Sequence, residues 1–471
     1  MDVLSLARFQ FGMTTVFHFF FVPLSIGLGF AIAIMQTLYV VKKDEMYKDM
    51  TKFWSKLFLL GFAVGVVTGI IQEFQFGMNW SEYSRFMGDI FGAPLAVEAL
   101  LAFFLESTFI GLWMFGWDKF NKKLHLLCIW LVAIGSMLSA LWILAANSFM
   151  QNPVAYHINE ATNRAELTSF VGLLKNPQLW LQFPHVIFGT IVTGGFVIAG
   201  SSAWMMMKKK NKEELPFFRR SLKFGLVMGL VGSILTIGAG HQQMIYVAKD
   251  QPMKFAAMEG IYEDTTAPAP WSLISGIDTK EKKTDWSIEV PYLLTLLGGE
   301  QQYIGMDEAN KQLHEQHDAQ FGEDMDYFVP VKTLFWGFRF MAGFGTLLAL
   351  MAVIGLYLLK NNRILKMKWF LLLLTVGITF PFISNTFGWL ITELGRAPWT
   401  VYGLFTIADS VSPSVTWGNL LFSNIIYFSL FLVLGFVMVA MAKREIAKGP
   451  YYVDESEAKK DGIDPFAKEV F

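Results

Sequence analysis

The sequence predicts an all-α fold, a polytopic membrane helix bundle with about nine transmembrane helices. Of its 471 residues, 54% are hydrophobic and only 16% are charged, a balance typical of integral membrane proteins. The charged residues fall in short clusters. Between these clusters lie apolar runs that are long enough, at roughly 20 residues or more, to cross a bilayer as helices.

Nine apolar runs are the predicted transmembrane helices, here numbered 1 to 9. They cover residues 13–40, 53–78, 94–116, 124–149, 183–207, 218–244, 332–359, 367–392 and 418–442. The first run is too long for a signal-peptide core and has no small-residue cleavage site, so we expect it to remain as helix 1. The single cysteine, Cys128, lies in run 4. It excludes an intramolecular disulfide and a cysteine metal cluster.

The runs divide the chain into four regions. Residues 1–244 hold helices 1–6, residues 245–331 form an extracytoplasmic loop, residues 332–442 hold helices 7–9, and residues 443–471 form a cytoplasmic tail. We expect the loop to be mixed, with short helices, because connections of this length are usually functional lids or disordered linkers. Its residues 251–259 read as a short helix with Pro252 in the first turn. This helix has an apolar face, so it can be part of a functional lid or simply an amphipathic cap on the bundle.

Every second connection between the runs is basic. Lysines and arginines follow helices 1, 3, 5, 7 and 9, among them Lys42, Lys43, Lys119, Lys122, Lys208, Lys209, Lys210, Arg363 and Lys366. Because such residues are retained on the cytoplasmic side, the N-terminus is predicted outside and the C-terminus inside. The connections 150–182, 245–331 and 393–417 then face outward.

This topology places at one outer membrane depth several residues that are unfavourable in lipid or unusual there: His18, Glu98, His185, Met341 and Glu393. In lipid such side chains are expected only where they face the bundle interior and bind something. A lone membrane histidine is often only a packing residue, and a lone methionine is usually core. However, histidine and methionine are both haem-iron ligands, and a His/Met pair is a known low-spin arrangement. The shared depth therefore favours a haem site.

Two further groups of charged residues accompany this layer. Glu98 and Glu106 on helix 3 lie about 80° apart and roughly 12 Å apart along an ideal helix, and with nearby serines they predict a proton relay. The alternative for each hydroxyl is helix–helix hydrogen bonding. Arg8, Arg339 and Arg396 lie near the outer layer, where they could hold haem propionates; pairing with carboxylates or lipid phosphates is the alternative.

Several longer motifs make the chain resemble subunit I of the cytochrome bd-type quinol oxidases over nearly its whole length. They are RFQF at 8–11 followed by His18, EFQFG at 73–77, GDIFGAPLA at 88–96 followed by Glu98, FLESTF at 104–109, SALWIL at 139–144, FRFM at 338–341, and GW at 388–389 followed by ELGRAPW at 393–399. Together these motifs are highly specific. One departure is Ala397, which stands where glutamine is common in the family.

The resemblance implies roles for individual residues. His185 and Met341 look like the axial ligands of a low-spin haem b. His18 and Glu393 look like the ligands of two high-spin haems, a haem b and a haem d or a third haem b, and which residue binds which haem stays open. The remaining roles are these: Glu98 beside the oxygen-reducing haem, Glu106 with Ser139 on the proton-entry path, Trp389 between haems, and Lys254 with Glu259 in the quinol-binding loop, 245–331, of the short-loop branch.

The activity implied by the resemblance is that of a quinol:oxygen oxidoreductase. It would oxidise membrane ubiquinol or menaquinol, reduce oxygen to water and generate a proton gradient without pumping, in the bacterial cell membrane. The resemblance also implies a second membrane subunit, subunit II, in a heterodimer, and allows for a very small third one. Two alternatives are a transporter or channel, with His18, Glu98 and Glu106 on an ion path, and an electron-transfer haem subunit without oxygen chemistry.

Overall fold

The computed structural model describes residues 2–208, 213–360 and 362–452. Its helices are α1 (Val3–Lys42), α2 (Glu45–Met78), α3 (Ser81–Val97), α4 (Phe104–Met114), α5 (Lys122–Gln151), α6 (Phe170–Leu174), α7 (Pro177–Lys208), α8 (Leu215–Asp250), α9 (Pro252–Glu259), α10 (Leu293–Gly298), α11 (Met306–Phe321), α12 (Val331–Leu359), α13 (Lys368–Val376), α14 (Phe380–Leu394) and α15 (Trp417–Lys448). A π-helical segment, Glu98–Phe103, joins α3 to α4, and a 3-10 turn, Arg363–Lys366, precedes α13.

Three short antiparallel strand pairs accompany the helices. They are β1 (Tyr156–Asn159) with β2 (Arg164–Leu167), β3 (Trp271–Asp278) with β4 (Lys283–Val290), and β5 (Trp399–Val401) with β6 (Phe405–Thr406).

Within these described residues, nine helical stretches are long and apolar enough to cross a membrane. Seven are single helices, and the other two are α3 with the π segment and α4, and α13 with α14. The predicted all-α membrane bundle is therefore confirmed. Which end of each helix faces the cytoplasm stays a prediction. Lys209, Lys210 and residues 453–471 of the proposed cytoplasmic tail lie outside the described residues.

The helices extend beyond the apolar runs that predicted them. Helix α1 begins at Val3 rather than at residue 13, and α2 begins at Glu45 rather than at residue 53. Polar residues continue these helices because capping side chains satisfy the first backbone N–H groups. Asp2 accepts from the Ser5 amide, and Asp44 accepts from the Met46 amide. Hydropathy reports only the apolar part of such a helix.

Hydrogen bonds between helix ends define two ends of the bundle. At the upper end, where α1 and α15 begin and α2, α5 and α14 end, the Asn79 amide donates to Gln10 Oε1 at 3.0 Å and Asn424 donates to the Leu6 carbonyl at 3.3 Å. At the lower end, where α1 ends and α5 begins, Arg219 at the start of α8 donates to the carbonyl of Leu359 at the end of α12. The nine spans thus alternate in direction along the chain.

Helix α7 is the centre of the bundle. In its most apolar stretch, 83% of the residues are buried inside the chain. Gly194 packs so closely on Gly27 of α1 that neither position has room for a Cβ atom, as small residues allow between membrane helices. The largest apolar cluster surrounds α7 in the lower part of the bundle and includes Trp54, Phe58, Phe196 and Phe217. This packing supports the upper end, where the candidate site lies.

The connection between α8 and α12 is folded. It contains α9, α10, α11 and the β3–β4 hairpin, so the expected mixed loop with short helices is confirmed. The short helix predicted at 251–259 is α9, with Pro252 at its first position and Gly260 in the left-handed conformation (φ 71°) just after its end. Since α8 continues to Asp250, the loop itself begins at residue 251. The hairpin was not predicted.

Candidate functional site

A cavity of about 690 Å³ lies among α7, α8, α12 and α14 and continues to α9, β3 and α10. Its wall includes five residues that the sequence singled out: His185, Met341, Trp389, Lys254 and Glu259. The structure therefore brings the expected low-spin haem ligands and the expected quinol-loop residues to one continuous space. A volume of this size suits a cofactor or another small organic molecule.

His185 has one ring nitrogen held and the other left for a ligand. Its Nδ1 lies 3.1 Å from the Thr236 carbonyl oxygen on α8. Because a carbonyl can only accept, Nδ1 carries the proton and Nε2 keeps its lone pair. A backbone carbonyl on the far nitrogen is the usual support of a metal-binding histidine. A Cβ atom at Gly240 would lie 2.9 Å from His185 Cε1, so glycine makes room for this ring.

Met341 reaches the same cavity from α12 and packs on α14. A Cβ atom at Gly388 would lie 3.2 Å from Met341 Sδ. Trp389 lines the cavity beside Gly388, and its ring meets the edge of Phe19 on α1 at a centroid distance of 4.9 Å. An oriented imidazole, a thioether and a mostly apolar wall match the donors that hold a low-spin haem. The residues present therefore fit this group.

His18 is oriented in the same way, by a different partner. Its Nδ1 lies 2.9 Å from Thr68 Oγ1 on α2, and the Thr68 hydroxyl lies 2.9 Å from the Val64 carbonyl. When Thr68 donates to this carbonyl or to that of Gly65, at 3.0 Å, it accepts from Nδ1 of His18, and Nε2 of His18 keeps its lone pair. Among the described residues, His18 is not part of the cavity wall that holds His185. The two histidines therefore serve separate places.

Glu393, at the end of α14, has both carboxylate oxygens engaged. Oε1 accepts from Asn147 Nδ2 at 2.8 Å, and Oε2 accepts from Arg396 Nη2 at 2.5 Å. Asn147 in turn accepts from Gln182, a cavity residue, at 2.9 Å. Nε and Nη1 of Arg396 are buried and have no hydrogen-bond partner within the described ranges. Such spare guanidinium donors suit a carboxylate or propionate.

The two carboxylates of the third span share a face, contrary to the 80° separation expected on an ideal α-helix. The π segment Glu98–Phe103 lies between them. Its i→i+5 hydrogen bonds put more residues in each turn, so the angular offset between the carboxylates shrinks. Both contact α5: Ser139 donates to Glu98 at 2.5 Å, and Ser136 donates to Glu106. Ser139, expected beside Glu106, is thus the partner of Glu98.

Lys254 and Glu259 are buried on α9, with 4% and 1% of their surfaces exposed. Lys254 Nζ donates to Gln151 Oε1 at 2.6 Å. Burial, reinforced by the charge of Arg396, lowers the pKa of Lys254 to about 7. Glu259 pairs with Arg339 Nη2 at 3.0 Å. Burial raises the pKa of Glu259, and the Arg339 charge opposes that rise.

The three arginines expected to hold propionates differ in their surroundings. Arg339 donates to the carbonyls of Met258 and Ser272, and its guanidinium lies 3.8 Å from the Phe335 ring centroid. It therefore ties α12 to α9 and β3. Arg396 is buried with spare donors, whereas Arg8 is exposed on the surface of the chain.

Asn147, Gln151 and Gln182 are site residues that the sequence analysis missed. All three are buried or half-buried amides in membrane-spanning helices, and each bonds to a proposed functional residue or to a neighbour of one. Gln151, for example, accepts from Lys254 and donates to the Thr392 carbonyl at 3.1 Å. The available signal was an amide within a membrane helix, which must find a partner inside the protein.

Comparison with known proteins places this geometry in context. The family model of cytochrome bd terminal oxidase subunit I matches residues 6–450. The chain is 51% identical over 471 residues to cytochrome bd ubiquinol oxidase subunit 1 of Bacillus subtilis (strain 168), covering 100% of this chain and 99% of that one. It is 37% identical to cytochrome bd-II ubiquinol oxidase subunit 1 of Escherichia coli (strain K12), covering 95% and 97%.

A solved structure has the same fold. The bd oxidase from Geobacillus thermodenitrificans matches with a TM-score of 0.83 at 25% sequence identity, over 95% of this chain and 99% of the matched chain.

Proposed function

Because this chain belongs to the cytochrome bd terminal oxidase subunit I family and is a membrane subunit of a quinol-oxidising terminal respiratory oxidase, we propose that His185 and Met341 hold a low-spin haem b beside a quinol site at Lys254 and Glu259. Haem cofactors, a quinol substrate and a partner subunit follow from the family. The observation that carries the residue assignment is the continuous cavity lined by all four side chains.

His18 and Glu393 are the proposed ligands of the two high-spin haems, one haem b and one haem d or a third haem b. His18 is supported by its Nδ1 contact with Thr68, which directs Nε2 away from that partner, and Glu393 by its carboxyl oxygens, which Asn147 and Arg396 hold in place. Arg396 has donors to spare for a propionate. Arg8 and Arg339 are weaker candidates for that role, since one is exposed and the other is engaged by α9. When bound, the haems supply electron transfer and the place of oxygen reduction.

Quinol would be oxidised at the part of the cavity lined by α9. Lys254 and Glu259 can hydrogen-bond its hydroxyl oxygens and accept its protons, because burial brings the pKa of Lys254 close to neutrality and raises that of Glu259. The outward orientation proposed for this loop would release those protons outside. Trp389, on the wall between this cavity and α1, would separate neighbouring haems.

Protons for oxygen reduction would come from the other side. Glu106, with Ser136, and Glu98, with Ser139, form two carboxylate–serine pairs along the contact between the third span and α5. They offer successive positions for a proton moving from the lower toward the upper end of the bundle, as intramembrane relays require. Taking protons up from the cytoplasmic side and releasing quinol protons outside would build a proton gradient without a pump.

The proposed setting is the bacterial cytoplasmic membrane, with the 245–331 region outside and the C-terminal tail inside. The partner would be a second membrane subunit, subunit II, in a heterodimer, and the family allows for a very small third subunit. The substrate would be ubiquinol or menaquinol, with oxygen as the electron acceptor.

A visible spectrum of the purified oxidase, oxidised and reduced, tests this proposal. We expect low-spin b bands together with high-spin bands, and oxygen consumption when quinol is added. A spectrum without haem bands would exclude the assignment of every ligand above. Low-spin b bands alone would leave the His185 and Met341 site and reject the high-spin pair.

A further inference from the structure

The 245–331 region exposes an unusual amount of apolar surface for a segment outside the membrane spans. Eight large apolar side chains between residues 271 and 297 are at least 36% exposed: Leu273, Ile274, Trp286, Ile288, Val290, Tyr292, Leu296 and Leu297. Exposed apolar patches on a chain surface usually mark a binding surface. We call these eight residues the loop patch.

One part of the loop patch is a face of the β3–β4 hairpin. Ile274 pairs with Ile288 across the strands, and Gly276 pairs with Trp286. Because side chains alternate along a strand, Trp286 and Ile288 project from the same face. The opposite face contacts the protein at β3, where Ser275 and Ile277 are buried, and at Thr284, which donates to the Gly260 carbonyl at 2.7 Å; the other β4 side chains of that face are polar. The hairpin is therefore amphipathic with its apolar face outward.

The other part of the loop patch is α10, whose sequence is LLTLLG, without a charge. Leu294 points inward and packs beside Met244 and Val247 at the end of α8. Leu296 on the other side is 79% exposed. Leu297 is 45% exposed and also lines the cavity. The cavity wall thus reaches the surface at α10, where a membrane span ends.

We propose that the loop patch rests on the lipid surface at the upper end of the bundle and flanks the opening through which the apolar tail of a quinol enters the cavity. The second half of this statement rests on the proposed function. Lipid contact is supported by continuity with the spans: Arg339 of α12 bonds to the Ser272 carbonyl of β3, and Trp336 and Phe340 of α12 are exposed.

The distribution of residue types also favours a lipid surface. Trp286 and Tyr292 belong to the patch, and such residues concentrate where membrane meets water. The exposed lysines of the hairpin, Lys280, Lys282 and Lys283, lie at its turn, where they can face headgroups or water. The exposed Asp285 and Glu289 of β4 alternate with Trp286 and Ile288 and therefore project from the other face. An interfacial segment combines these features, an apolar face toward lipid and a charged edge toward water.

Spin labels test the contact directly. In the complete oxidase, with Cys128→Ser to remove the only cysteine of this chain, labels are placed at Ile288→Cys and Leu296→Cys. The matched control is Glu315→Cys, at an exposed polar position on α11 of the same loop. In vesicles of phosphatidylethanolamine and phosphatidylglycerol, oxygen, which concentrates in lipid, should relax the two patch labels several-fold more than a water-soluble nickel complex does. The control label should show the reverse.

Two results would overturn the proposal. Patch labels that behave like the control would place the patch in water. Patch labels protected from both reagents would mean that protein, a second copy or a partner subunit, covers it. Neither result depends on quinol oxidation, so the lipid contact and the proposed function can fail separately.

The entry role has its own measurement. In the double variant Ile288→Lys and Leu296→Lys, KM for a quinol with a decyl tail should rise several-fold, while kcat and the KM for a quinol without a tail stay at the parent values. Glu315→Lys serves as the matched control. An equal change for both quinols, or no change for either, would reject the entry role.

Discussion

The upper and lower ends of the bundle both contain a histidine inside an apolar helix, but only the upper end leaves that histidine available to a ligand. At the lower end, Trp113 Nε1 donates to Gln36 Oε1, the Gln36 amide donates to His125 Nδ1, and His125 Nε2 donates to the Trp113 carbonyl, each at 2.7 Å. This ring of three hydrogen bonds uses both nitrogens of His125. His125 is therefore a packing residue.

The upper end contains buried hydrogen-bonding groups that the described residues do not use. His185 and His18 each have one nitrogen engaged. Within the described residues, Gln182 Oε1, Ser384 Oγ and two nitrogens of Arg396 are buried without a hydrogen-bond partner. A buried polar group without a partner costs about 1–3 kcal/mol. Several such groups around one region are expected where a ligand or ordered water completes the bonds. The comparison shows that the neighbours of a membrane histidine, more than the histidine itself, indicate its role.

The largest expected effect separates the two kinds of histidine. His185→Ala should abolish the low-spin haem signal, because the oriented Nε2 is lost, and Met341→Leu should do the same through loss of the thioether. His125→Ala should keep all haem bands but lower thermal stability, since the Gln36 amide and the Trp113 carbonyl lose their partners, at about 1–3 kcal/mol each. Visible spectra and thermal unfolding of the three variants check this. Loss of haem from His125→Ala would break the distinction between the ends.

The second effect concerns the proposed proton path between the lower and upper ends. Glu106→Gln should retain the haem bands but lower oxygen reduction about 100-fold, because Gln keeps the contact with Ser136 and cannot release a proton. Ser136→Ala, which keeps the carboxylate, is the matched control and should lose less activity. Oxygen consumption and proton uptake in vesicles are the measurements. Parent-level proton uptake by Glu106→Gln would make this carboxylate a packing residue.

A third, smaller effect is a pH dependence at the upper end. With the pKa of Lys254 lowered to about 7 by burial, its side chain is charged below that pH and neutral above it. Only the neutral amine can accept a quinol proton, so kcat/KM for quinol should rise as pH increases through about 7. Lys254→Arg should remove this rise, because arginine stays charged. The exposed Lys249→Arg serves as control. An unchanged pH profile in Lys254→Arg would assign the proton to another group.

The smallest expected effect tests the position of the Met341 sulfur at the upper end. In Gly388→Ala the new methyl group would lie 3.2 Å from Met341 Sδ, tighter than an ordinary contact. We expect a shifted low-spin haem band and reduction potential with the haem retained. Gly343→Ala on α12, where a Cβ atom meets no described residue within 4 Å, should leave the spectrum unchanged. Identical spectra for both variants would argue against Met341 as the ligand.

Some features of this protein were determined by the sequence itself. Hydropathy and charge clusters depend only on composition along the chain, so the nine spans and the short helix α9 were predictable. The motifs that include or precede His18, Glu98, Met341 and Glu393 predicted the family, which the comparisons confirm. Whether these residues bind haem is a prediction that the cavity supports.

Other features were decided only by the tertiary structure, because they depend on contacts between residues far apart in the chain. The π segment turns both Glu98 and Glu106 toward α5, where Ser139 donates to Glu98. Arg339 binds Glu259, 80 residues away, and Asn147 reaches Glu393 from another helix. In the same way, neighbouring residues engage both ring nitrogens of His125 but only Nδ1 of His185. A linear pattern indicates which residues are costly to bury, whereas only packing decides which of them have their bonds completed by the protein.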